Sequence, residues 1–334
     1  MTAKGAAIIS CAAIAALGAA IVGLLVGGTP LAALDVLWSL THPHAPSDVA
    51  TIVWSLRLPR VAIAALVGAT LSTAGFELQG LLRNPLVEPS LIGVSAGAGA
   101  AIAIGVALGV AVPLLPGIGF AAGLGVAVLV ALLSRRAGGL DVERLILAGV
   151  SLSAFFAAIV TTALTALARG QADAIISWLA GSLAGRGWNE VLWALPYAVV
   201  GLAIAGAAIP SLNALRLGPS LAASVGVDVV RVQWLLLASA ALLTAAAVSL
   251  SGLVGFVGLI VPHLARRLIG TDARIALPLT ALLGAALVTV ADAASRTLFA
   301  PAEIPLGVLL AFIGVPTFLY LYLRSDGTAR LWGT

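Results

Sequence analysis

The sequence predicts an all-α polytopic membrane protein: about ten transmembrane helices per subunit, forming a single domain over residues 1–334. Three observations carry this. The chain is 61% hydrophobic and 9% charged, too little polar surface to clothe a soluble fold. Apolar runs of about 20 residues, the length a helix needs to cross a hydrocarbon core about 30 Å thick, recur about ten times. The runs are continuous, not alternating, so helices and not barrel strands must satisfy the backbone in lipid.

The first run, 6–27, follows Lys4; it resembles a signal peptide but is long enough to span and lacks a cleavage site, so it reads as span one. Span two, 58–80, opens at Arg60-Val61. Arg83-Asn84-Pro85-Leu86-Val87-Glu88-Pro89-Ser90 follows; its prolines force extended residues before them, giving a structured loop with a helix start near Ser90. Spans three to six are 92–111, 118–134, 145–168 and 190–209. Between spans six and seven, residues 212–228 read as two short helices, with Pro219 at a helix start and Gly226 placed to stop it. An ordered, mildly apolar pair of this kind is a candidate docking surface for a soluble partner. Span seven is 232–250; span eight, 254–269, is short enough to be tilted or broken; spans nine and ten are 275–297 and 304–324.

Ten spans put both termini on one side. Lys4, Arg83, Arg135, Arg136, Arg144, Arg216, Arg231, Arg266, Arg267, Arg274, Arg324 and Arg330 share that side, twelve of the seventeen Lys and Arg, which places it in the cytoplasm. Arg57, Arg60, Arg169, Arg186 and Arg296 remain outside. Trp38, Trp54, Trp178, Trp188 and Trp193 fall near outer boundaries, as an interfacial belt would. Spans two and seven, opening Arg60-Val61 and Arg231-Val232, run in opposite directions and are each followed by a Pro-bearing helix, a weak sign of an inverted repeat.

Composition also excludes function classes. The net charge of +4 comes from arginines scattered singly and in pairs, which argues for topology anchors and against a nucleic-acid partner. One cysteine, Cys11, leaves no internal disulfide and no ligand cluster. His42 and His44, without further ligands, read as solvated loop, so no metal site is expected. No Gly-x-x-x-x-Gly-Lys-Ser/Thr string occurs, so the chain is expected to bind no nucleotide and no other cofactor. Ionisable residues within spans are few, Glu77 and Asp292, and form no mid-membrane pair of the kind a proton relay would use. The 37 glycines chiefly allow close helix approach, the main route to packing in lipid. Arg57, Arg60 and Arg296 break the positive-inside pattern and are read as a contact for something acidic.

Three strings together resemble one family: Arg57-Leu58-Pro59-Arg60; Asn84-Pro85-Leu86 with Glu88-Pro89 and Gly93-Val94-Ser95-Ala96-Gly97; and Gly255-Phe256-Val257-Gly258-Leu259-Ile260-Val261-Pro262-His263 with Arg266, Gly270 and Asp272. The chain is similar to the FecCD-type permeases, membrane subunits of ABC importers for cobalamin, ferric siderophores and haem, and the likeness extends to Glu303-Ile304-Pro305-Leu306-Gly307 and Gly314-Val315-Pro316. The resemblance implies a non-catalytic, cobalamin-importer-permease-like subunit in the bacterial inner membrane, paired with a second copy around a central translocation pathway. Two cytoplasmic ABC ATPase subunits would use ATP and magnesium, and a periplasmic substrate-binding protein would deliver cargo. It further implies that Arg57, Arg60 and Arg296 receive carboxylates of that binding protein, for which a guanidinium fork is suited. Gly218, Ser220, Ala222, Ser224, Val225, Gly226 and Val227, within about 212–231, would form the coupling helices. Asn84 and Leu86, with Val142 and Glu143, would form a cytoplasmic gate, although Val142-Glu143 differs in residue type from the family's small hydroxyl pair. The Glu88-Pro89-x-Leu-Ile-Gly string favours haem as cargo, with a ferric siderophore or cobalamin as the alternatives. An ion-gradient-driven secondary carrier is the rival class, and would need the intramembrane ionisable pair that is missing.

Overall fold

The computed structural model describes residues 3–324 apart from 44, 137 and 138; His44 and Arg330 lie outside the described residues. The helices, in order, are α1 (Ala3–Leu25), α2 (Ala33–Thr41), α3 (Asp48–Thr51), α4 (Leu58–Leu81), α5 (Val94–Ala107), α6 (Leu115–Leu133), α7 (Val142–Ala166), α8 (Arg169–Leu179), α9 (Trp188–Ala207), α10 (Ile209–Leu215), α11 (Pro219–Ser224), α12 (Val229–Ser251), α13 (Val257–Ile269), α14 (Ala273–Ser295) and α15 (Leu306–Arg324). Each of the ten expected segments holds a helix. Among the described residues seven helices are long and apolar enough to cross a membrane, and α5 and the apolar part of α15 are shorter. The protein is a multi-pass membrane protein.

α4 is the central post, packed on α12, α13 and α14. Close approach explains its glycines: a Cβ at Gly68 would lie 2.0 Å from the Gly284 carbonyl oxygen of α14, and one at Gly75 would lie 1.9 Å from that of Gly258 in α13. Backbone against backbone at both crossings is the small-residue packing that lipid, lacking a hydrophobic drive between helices, requires. The core lies between α4, α12 and their neighbours, with Leu78, Leu236, Leu243 and Leu145 fully buried.

Several features depart from the sequence expectation. The helix bearing Arg57 begins earlier than position 58: α3 and a π-helical stretch, Ile52–Arg57, run into α4 as one rod from Asp48 to Leu81. Two short strands, 135–136 and 139–140, pair antiparallel, Arg135 with Leu140 and Arg136 with Gly139. α8, 11 residues long, lies between spans five and six where a loop was expected. Trp193 packs against Phe120 and Tyr197, ring centroids 5.1 and 5.4 Å away. Arg266, expected as an exposed topology anchor, is buried: its guanidinium donates to Gln79 Oε1 and to the Phe76 carbonyl and lies 4.5 Å over the Phe76 ring. These hydrogen bonds and the ring contact offset part of the cost of taking that charge out of water.

Candidate functional site: polar seats at the two ends of α14

α14 has 23 residues, hence about 34 Å of rise at 1.5 Å per residue. Its two ends carry the polar clusters that the sequence singled out separately.

At its C-terminal end, Asp292 sits between two arginines. Arg60 Nε donates to Asp292 Oδ1 at 2.9 Å, and Arg60 Nη1 and Nη2 hold both oxygens of Glu303 at 3.1 and 2.9 Å. Arg296 Nε lies 3.2 Å from Asp292 Oδ2. The remaining donors go to the C-terminal end of α1 and the chain just beyond it. Arg57 Nη1 donates to the carbonyls of Leu24 (2.6 Å) and Leu25 (2.8 Å) and Nη2 to that of Thr29, while Arg296 Nη2 donates to Gly23 (3.1 Å). The last turn of α1 has no basic residue of its own. Its orphan carbonyls and negative dipole end are therefore capped by arginines from elsewhere in the chain.

Of the three arginines expected to face outward, the structure turns two inward. Arg57 is 4% exposed and Arg296 is 6% exposed. Arg60 is the least covered of the three at 12%, and its partner Glu303, 40% exposed, is the member of the cluster that stands at the surface. All three arginines meet in one cluster, with Asp292 and Glu303 completing it. Glu303 stood in the sequence as part of a motif without a role; its pairing spans 243 residues, so no local pattern announces it.

At the N-terminal end, α10 is fastened to α14, and α11 packs on α10. Asn213 acts twice: its Nδ2 donates to Asp272 Oδ1 at 2.7 Å, and its Oδ1 accepts the Ala273 N–H at 2.8 Å, in the first turn of α14. Asp272 Oδ1 also accepts the Arg274 N–H at 3.0 Å. That backbone bond first, then Asn213, holds the Asp272 carboxyl below its ordinary range. Arg216 donates to the Thr271 carbonyl at 2.6 Å and to its hydroxyl.

Gly218, at φ +105°, turns the chain into α11, and Gly226, at φ +88°, ends it; both conformations disfavour a side chain. Within α11 the buried Ala222 anchors the element. Ser224 Oγ donates back to the Leu221 carbonyl, and Ser220, Val225 and Val227 complete the segment. Leu217, Leu221 and Val225 stand exposed side by side.

The loop after α4 is built on Asn84, whose Oδ1 accepts the Leu86 N–H at 2.9 Å, an Asx turn. Leu86 projects outward. Glu88, the residue that distinguished this loop, accepts the Phe256 N–H at the head of α13; burial pushes its carboxyl up and that bond opposes the shift. Gln79 Nε2 lies 3.2 Å from the Val87 carbonyl and 3.1 Å from that of Gly258, so the loop, α4 and α13 are tied together. Val142 packs against the core at the start of α7, and Glu143 beside it is exposed. α7 crosses the turn Pro89–Ile92 at Gly149, where a Cβ would lie 1.9 Å from the Leu91 carbonyl oxygen.

Glu77, expected near an interface, is instead fully buried, with Oε2 3.0 Å from Ser239 Oγ on α12 and no cation among the described residues within ion-pair distance. His42, half of the weighed histidine pair, stacks on Trp38 with ring centroids 4.6 Å apart.

A bundle of membrane-length helices with charged seats at both ends of one of them defines the class: a multi-pass helical membrane protein. Residues 14–324 match the FecCD transport family, and the chain belongs to that family. It is 40% identical over 301 residues to the cobalamin import system permease protein of Halobacterium salinarum, covering 88% of this chain and 80% of that one. It is 38% identical over 314 residues to the hemin transport system permease protein of Yersinia pestis, covering 90% and 92%. Among solved structures, an inward-facing ABC transporter described as of metal-chelate type matches at a TM-score of 0.85 and 31% identity, covering 95% of this chain and 99% of that one.

Proposed function

We propose that this chain is the permease subunit of a binding-protein-dependent ABC importer, carrying haem from the outer side of the membrane to the cytoplasm. The observation that carries the importer reading is the family match over nearly the whole chain, joined to an exposed apolar stub, α11, packed on α10, which Asn213 and Arg216 fasten to a helix long enough to reach the opposite face. In this reading two cytoplasmic ATPase subunits seat on Leu217, Leu221 and Val225 and use ATP and magnesium there. Their closure moves α10–α11, and α14 conveys the displacement to the Arg60 cluster.

A periplasmic binding protein docks at that far end. Arg60 offers the contact, and Arg57 and Arg296 supply positive potential from behind it, setting encounter rate and register more than affinity. Asn84, Leu86, Val142 and Glu143 would close the conduit on the cytoplasmic side. A second copy would cover α7, the least covered of the long helices within one chain, with Leu147, Val150 and Phe155 on its open face.

The haem assignment rests on the Glu88-Pro89 string. Relatives named for hemin, cobalamin and ferric dicitrate match at 38–40% identity, so identity does not rank the cargoes, and Glu88 serves α13. A ferric siderophore or cobalamin remains the alternative.

The test of the importer reading is to replace residues 218–228 with a flexible linker. ATPase binding in detergent is expected to be lost while the permease still purifies folded; undiminished binding would overturn the seat at α11.

A further inference from the structure

A cavity of about 470 Å³ lies between α5, α8 and the start of α6, apart from both ends of α14. Its walls are mostly apolar, among them Ile102, Val106, Val110, Val112 and Leu115, and no acidic residue lines it. Two hydrogen-bond donors at its edge have no acceptor: Trp178 Nε1 and Arg186 Nε are both shielded from solvent and unpartnered. Arg186 makes no ion pair with any described residue. Glu190, the acid whose charge acts on it, is held by the Gly187 N–H at 2.9 Å, and burial still lowers the Arg186 pKa.

Two other polar groups of the lining are committed elsewhere, while the hydroxyls of Ser177 and Ser182 also face it. Gln171 Nε2 donates to the Val106 carbonyl at 3.3 Å, and Ser251 Oγ donates to that of Ala247 at 2.9 Å. The frame is fixed: a Cβ at Gly252 would lie 2.1 Å from the Trp178 carbonyl oxygen, and the Ser182 N–H donates to the Ser251 carbonyl at 2.8 Å. A guanidinium Nε–H and an indole N–H, both shielded and left without acceptors, carry a cost that an anionic oxygen would remove. The volume falls within the usual range of ligand clefts.

We infer that this cavity binds a molecule with an acidic head on an apolar chain, the head accepting from Arg186 Nε and Trp178 Nε1 and the chain lying among the aliphatic walls. Such a molecule comes either from an anionic membrane lipid or from a free fatty acid. The test titrates the delipidated full-length permease with phosphatidylglycerol, dodecanoate and, as the neutral-headgroup control, phosphatidylcholine, read by native mass spectrometry. Arg186→Gln removes the charge; Trp178→Phe removes only the N–H and keeps the ring, so it remains informative if the arginine variant fails to fold. The wild-type chain is expected to hold at least one of the two acids in preference to phosphatidylcholine. Each folded variant should bind that acid about tenfold more weakly, as expected for loss of a hydrogen bond to a charged group. Retention of phosphatidylglycerol alone identifies a lipid, of dodecanoate alone a free acid, and of both a site open to either source. Preference for neither acid over phosphatidylcholine, or wild-type affinity in a folded variant, overturns the inference.

Discussion

Arg57 and Arg60 are three positions apart yet perform different tasks. Arg57 closes the C-terminus of α1, and removing it strands the carbonyls of Leu24, Leu25 and Thr29. Losing hydrogen bonds to a charged group in a buried setting costs about 1.5–3 kcal/mol each before relaxation. Arg57→Ala is therefore expected to lower the melting temperature and yield of the permease by several degrees and severalfold. Arg60→Ala should instead weaken capture of the loaded binding protein, most visibly at low salt, with a smaller loss of stability; capture at wild-type affinity would remove Arg60 from the docking face. Glu77 gives a second residue-scale test. Its side chain is buried beside Ser239 with no cation among the described residues at ion-pair distance, so an uncharged isostere suits the site as well. Glu77→Gln should melt at or above the wild-type temperature, and a clear drop in a thermal-shift assay would show that a charge is needed there.

Among elements, the ten apolar segments were legible because burial in lipid imposes long continuous runs, and Pro219 and Gly226 marked α11 because helix starts and stops have local chemistry. The strands 135–136 and 139–140 were not legible, being two residues each, and α8 does not read as a span because its 11 residues are short and of mixed polarity. The inward turn of Arg57 and Arg296 was hidden for another reason. Their acceptors lie 33 and 273 positions away, and the available hint was negative: α1 ends at Leu25 with no basic residue in its last turn. The element-scale prediction concerns the fastening of α10 to α14. The double variant Asn213→Ala, Arg216→Ala should still bind the ATPase through Leu217, Leu221 and Val225, yet lose most ATP-driven uptake. Uptake at the wild-type rate would show that force travels by another route.

For the whole molecule, the glycine crossings of α4 with α13 and α14 make a stiff central group, and the two polar seats lie at its opposite ends. Such an arrangement can carry a displacement across the bilayer without an ionisable residue at its centre. Under the proposed function it is worked from outside by partners, and Asp292, one of the two intramembrane carboxylates, is consumed in holding Arg60 and Arg296. The direct measurement is haem uptake into proteoliposomes holding the permease, its ATPase and the loaded binding protein, with ATP and magnesium present or omitted. The account predicts uptake that requires ATP hydrolysis and is indifferent to collapsing the ion gradients. Uptake that continues without ATP and stops when the gradients are collapsed would contradict it.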